Sequence, residues 1–161
     1  PMLLGGVFKA TGNASLAMIP ANGRYMFVDL DRYAKRYGVP LKFNPHFPIN
    51  TLMLMRAVTG IQLRQPERFR AFIDCLFNAL WVEGRALDEP ATVAAVLIEH
   101  GFDPQEVLAL TNDESVKTAL KDNTDTAVKR GVFGAPSMFV GSQLFFGQDR
   151  LDFVEEALRQ V

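Results

Sequence analysis

An α/β fold rich in helix is what this sequence predicts, and three observations predict it. Segments with apolar residues at helical spacing follow one another from Gly23 to Arg130. Behind them, "SMFV" and "QLFF" flank Gly141-Ser142 as two short strands about a two-residue turn. Both strands are apolar on both faces, so the hairpin needs more strands beside it and helices over it, because an isolated hairpin is marginal in water.

The opening "PMLLGGVFKATGN" reads as the end of an apolar strand followed by a Gly5-Gly6 loop. It is the only other strand candidate, and the rest of the sheet is expected before Pro1. From Gly23 to Tyr37, Met26, Leu30, Tyr33, Ala34 and Tyr37 recur at helical spacing until Gly38 and Pro40 stop the run. "VPLKFNPHFPIN" is proline-interrupted and extended. A second helix runs through "NTLMLMRAVTG", with Gly60 closing it. From Pro66, which suits a first helical position, Phe69, Phe72, Ile73, Leu76, Phe77, Leu80 and Trp81 keep to one apolar face. A shorter helix through "EPATVAAVLIEH" ends at Gly101. Asp103-Pro104-Gln105-Glu106 then has the capping-box form, and Thr111 to Glu114 repeats it at the head of a polar helix. In that helix Lys121, Asp125 and Lys129 alternate in sign at four-residue spacing, and Gly131 provides the cap. Gly141-Ser142, glycine first, suits a type II′ turn.

At 161 residues and 48% hydrophobic, the chain has the size of one domain and the apolar content to bury a core. Formal net charge is -1, and the 17 basic residues form no stripe or run. Electrostatics therefore give no reason to invoke nucleic acid or anionic lipid. No apolar run reaches the ~18 residues of a membrane span. Cys75 is the single cysteine, which excludes an internal disulfide or CxxC pair and makes a reducing, cytoplasmic setting the natural one. With two distant histidines, His46 and His100, it makes no zinc site.

Several stretches carry a family. "GVFGAPSMFVG" followed by "FFGQDR" resembles the C-terminal signature of the 2-hydroxychromene-2-carboxylate isomerases and their relatives, the kappa-class glutathione transferases, both of the DsbA-like thioredoxin superfamily. "GGVFKATGN" resembles their loop after the second strand, and "FNALWVEG" a segment of their helical insertion. The resemblance implies a thioredoxin-like (DsbA-like) domain at 1–50 and 131–161, interrupted by an all-helical insertion at 51–130. It also implies that the family's first strand, first helix and catalytic serine lie outside this chain, so no catalytic residue is assigned.

In that family the proline ahead of the hairpin is cis, and the residue before it lends its backbone to the cysteinyl part of glutathione like an added strand; Ala135-Pro136 fits this place. Gln148, Asp149 and Arg150 fall where relatives hold the γ-glutamyl end. A carboxylate there suits the ammonium, while Gln148 and backbone N–H groups suit the carboxylate. Lys9 and Asn13 match the K-x-x-x-N loop that faces the aromatic substrate, and Phe47 sits where relatives offer a side chain to the substrate pocket. Taken alone, these residues have plainer readings: a trans turn proline, an N-cap with a solvated charge, and surface polar groups. His46 reads as a surface histidine, Cys75 as a small buried hydrophobe, and the stripe of Phe69, Phe72, Phe77 and Trp81 as core.

The implied activity is a glutathione-dependent isomerisation of 2-hydroxychromene-2-carboxylate and trans-o-hydroxybenzylidenepyruvate in aromatic catabolism, with glutathione as the cofactor and a homodimer as the assembly. The alternatives are a kappa-type transferase with another electrophile, a DsbA-like thiol–disulfide oxidoreductase, which needs a CxxC on the first helix, and a non-catalytic glutathione-binding protein.

Overall fold

The structure, a computed structural model, describes the backbone of residues 1–161 and every side chain but that of Leu16. The chain divides into two compact units. Leu16–Leu120 make up one together with Pro1; Met2–Ser15 and Lys121–Val161 make up the other.

The larger unit is helical. Helix α2 (Pro20–Tyr37) begins on a proline and stops at Gly38, whose φ of 64° is the left-handed conformation that a helix end favours. An extended stretch then leads to α3 (Leu52–Arg64). The aromatic stripe forms a 3-10 turn at Pro66–Arg68, α4 (Phe69–Asn78) and a π-helical turn at Ala79–Glu83. Two shorter helices follow, α5 (Pro90–Glu99) and α6 (Pro104–Asn112), and α7 (Glu114–Lys129) starts in this unit. The core joins Leu54, Ala57, Val58 and Ile61 of α3 to Phe72 and Leu76 of α4, Val96 and Leu97 of α5, and Val107 of α6.

Gly60 does not close α3, as its sequence suggested; the helix runs one turn further to Arg64, and Gly60 is buried inside it. A Cβ on Gly60 would lie 2.7 Å from the Leu110 Cβ, so the glycine is there to let α3 and α6 approach. Asp103 caps α6 by accepting from the Gln105 N–H at 2.8 Å, while Glu106 makes no return bond among the described residues. The cap of α7 is Asp113 rather than Thr111: Asp113 accepts the Ser115 N–H at 2.7 Å, and the Thr111 hydroxyl stays in α6, donating to Leu108 O.

The smaller unit holds α1 (Leu4–Thr11), the end of α7, the strands β1 (Ser137–Val140) and β2 (Gln143–Phe146), and α8 (Leu151–Leu158). The hairpin has the expected register, Ser137 opposite Phe146 and Val140 opposite Gln143. Gly141 takes a φ of 58° and Ser142 does not go positive, as a type II′ turn requires. α8 packs on β1, and the Arg130 guanidinium lies 3.6 Å from the Phe139 ring centroid.

The start of the chain is a correction. "PMLLGG" is no strand and loop; Gly5 and Gly6 are in helix α1. Their weak helix propensity is overridden by packing against α7, where the Leu3 N–H donates to Thr124 Oγ1 at 2.9 Å and a Cβ on Gly6 would come within 3.2 Å of Thr124 Cγ2. No described helix is long and apolar enough to cross a membrane, and no three His, Cys, Asp or Glu among the described residues gather as metal ligands.

Candidate functional site

The site grows from the segment 133–137, which enters β1 through Ala135-Pro136. That peptide bond is cis, as is Phe47-Pro48. Each carbonyl around Ala135 is spoken for. The Asn13 side-chain amide donates to Phe133 O at 2.8 Å, the Ser137 hydroxyl to Gly134 O at 2.8 Å, and the Gly147 N–H to Pro136 O at 3.0 Å. Phe133 and Phe146 stack with centroids 4.5 Å apart, and only a glycine at 134 leaves room for the Phe146 ring, since a Cβ would meet it at 2.8 Å.

Ala135 is the exception. It is exposed, and neither its N–H nor its C=O has a hydrogen-bond partner among the described residues. Its neighbours hold the backbone in place while this N–H and C=O stay unpaired on an exposed residue, the groups that strand addition uses.

At the other end of the hairpin, Gly147 has a φ of 105°, and a Cβ there would run into the Asp149 carboxylate. Gln148–Arg150 form a 3-10 turn ahead of α8. Arg150 Nη1 holds Asp149 Oδ2 at 2.5 Å, both groups in contact with solvent, so the pair positions the carboxylate more than it stabilises the fold. The Gly147 N–H bond to Pro136 O ties this turn to the cis-proline.

Lys9 lies on α1 and not in a loop. It is the basic residue of the last turn, favourable at a helix C-terminus, and it makes no ion pair among the described residues. Asn13 follows the left-handed Gly12 (φ 70°) that ends this helix. Its amide nitrogen is bound to Phe133 O and its oxygen to the Ala14 N–H, so it ties the end of α1 to the segment before the cis-proline. Sequence reading missed Gly134, Ser137 and Gly147 as parts of this frame, although a glycine on either side of the hairpin motif was a visible signal.

Phe47 belongs to the larger unit. It is half-buried among aromatic rings, 6.2 Å from Phe27, 6.1 Å from Phe43 and 5.9 Å from Trp81 between centroids. Phe27, Phe43 and Trp81, with Phe77, also line an open apolar cleft of about 620 Å³. Beneath Phe47, Asn44 is wholly buried and anchors the segment: its amide donates to Leu80 O at 3.0 Å and Arg85 O at 2.9 Å, and its oxygen accepts the His46 N–H. Cys75 is buried in the same unit, its thiol pushed up to about 11 first by burial and then by Glu83 and Glu99.

A family model described as the DSBA-like thioredoxin domain matches residues 1–159. The chain belongs to the DsbA-like thioredoxin family. It is 31% identical to a 2-hydroxychromene-2-carboxylate isomerase of Pseudomonas putida over 85% of its own length and 66% of the relative's. It is 26% identical to glutathione S-transferase kappa 1 of Rattus norvegicus over 96% of its length and 74% of the relative's. A solved 2-hydroxychromene-2-carboxylate isomerase superposes with a TM-score of 0.83 at 29% identity, covering 99% of this chain and 77% of that one. This member of the DsbA-like family therefore has the thioredoxin fold in a helix-rich form with a small sheet, and it spans about two thirds of the isomerase it matches.

Proposed function

We propose that this DsbA-like chain binds glutathione at Ala135 and Asp149 and belongs to an isomerase that interconverts 2-hydroxychromene-2-carboxylate and its open-chain benzylidenepyruvate isomer. The exposed Ala135 peptide pair, set in a frame of bound neighbours beside cis-Pro136, carries the reading.

The donor set fits the tripeptide. Ala135 N–H and C=O receive its backbone; the Asp149 carboxylate, steadied by Arg150, receives its ammonium; Gln148 takes its α-carboxylate. When bound, glutathione supplies a thiol nucleophile that adds to the open enone and leaves again after the bond has turned. Lys9, a cation without an ion-pair partner among the described residues, suits the substrate carboxylate or a developing enolate oxygen. Asn13 holds the segment 133–135 in position. Phe47 and the rings around it offer stacking surface to an aromatic acid. A homodimer in the cytoplasm, working in aromatic catabolism, completes the proposal.

A kappa-type transferase is the second reading, favoured by relatives of that name that align with 96% or more of this chain where the isomerases align with about 85%. Calorimetric titration with glutathione, followed by absorbance assays on the chromene and on a chlorinated aromatic electrophile, separates the two. We expect binding that Asp149→Asn weakens by roughly tenfold, as for a lost charged hydrogen bond, and turnover of the chromene. Turnover of the chlorinated compound alone would establish the transferase; absence of glutathione binding would overturn both.

A further inference from the structure

We propose that a pit between α3, α5 and α6, in the larger unit, is a binding site for a small, uncharged apolar guest: a monocyclic arene or a branched alkyl group of similar bulk. The pit measures about 140 Å³. An apolar cavity of roughly 150 Å³ stays dry and takes up benzene or xenon. Its size therefore matches one ring.

Leu54, Phe72, Val93 and Leu97, all buried, form the floor. The void has a structural origin. Contact between Gly60 and Leu110 sets the approach of α3 to α6, and Ala57 and Ala94 are the smallest side chains of the wall, too short to fill the remaining space. No buried side-chain polar atom among the described residues lacks a partner, and the one hydroxyl in the wall, that of Thr111, donates a hydrogen bond to Leu108 O at 2.8 Å. The Gln105 amide is the other polar side chain of the wall, so the buried floor offers water none of the two to four side-chain partners it needs.

The mouth decides the charge of the guest. Pro90 and Pro104 stand at the first positions of α5 and α6 and line the opening, so each helix presents a ring where an N–H donor would sit. Glu89 and Asp103 precede them as the capping residues and place negative charge near both helix starts. No Lys or Arg lines the pit, so an anion finds no cationic side chain there, and the exposed Leu108 side chain beside Gln105 leaves the entrance accessible.

The test is a methyl NMR titration of the protein with benzene, with benzoate as a matched charged probe. Saturable shifts confined to Leu54, Val93, Leu97 and Val107 are expected with benzene, and none with benzoate. Ala94→Leu, which extends a side chain into the space, is expected to weaken benzene binding at least about tenfold and to raise the denaturation midpoint. Shifts scattered over the surface, a titration that does not saturate, or equal binding of benzoate would overturn the proposal. Should Ala94→Leu not fold, the titration of the unaltered protein still decides it. None of these readouts involves glutathione or turnover.

Discussion

The Asn13 amide donates to the carbonyl of Phe133 at 2.8 Å across 120 residues of sequence. Through that bond the end of α1 is joined to the segment that presents Ala135. Asn13→Ala removes the bond, with a cost of about 1 kcal/mol at an exposed site. We expect a small fall in stability and a several-fold loss of glutathione affinity, measured by calorimetry. Unchanged affinity would show that the Ala135 segment keeps its shape without Asn13.

Gly60→Ala tests helix packing against helix propensity. Alanine is worth up to about 1 kcal/mol more than glycine within a helix. The added methyl, however, would lie 2.7 Å from Leu110 Cβ, and overpacking of this kind costs about 1–3 kcal/mol. A lower urea midpoint with an unchanged slope is the expected outcome. A higher midpoint would mean that α3 and α6 separate freely.

Asp113 makes stability depend on acid. Its carboxyl is held at about 2, below the ordinary 3.8, first by the Ser115 hydroxyl, then by the Ser115 N–H, and also by Arg64. Because the folded value lies below the unfolded one, its contribution is complete above pH 4 and is lost as the pH falls toward 2. Asn also caps helices, so Asp113→Asn keeps the cap and removes the titration. Urea unfolding between pH 5 and pH 2 should show a shallower loss of stability in the variant; parallel curves would refute this role.

Cys75 should resist alkylation in the native protein at pH 8 and react fully after denaturation, because its thiol is buried and titrates near 11. Rapid native labelling, followed by thiol counting, would show that the thiol reaches solvent in the folded protein.

Much of the framework was legible in the sequence because it rests on local chemistry. Proline and glycine marked the ends of α2 and α5, apolar spacing marked α4, and Gly141-Ser142 specified the turn and thereby the register of β1 with β2. Candidate binding residues such as Ala135, Pro136 and Asp149 were picked out by the motif around them, and the structure places these three about one hairpin.

Other features depended on residues far apart in the chain. Leu3 and Gly6 fold as part of a helical segment because Thr124 receives them, and Gly60 lies within a helix because Leu110 packs against it. Nothing near Asn13 in sequence announces Phe133, and nothing near Asn44 announces Leu80. Spacing and punctuation along the chain determined which segments turn, cap and pair. Tertiary structure alone decided where a weak helix former is tolerated and which polar groups distant segments already satisfy, since burial and hydrogen bonding between distant segments outweigh local preference.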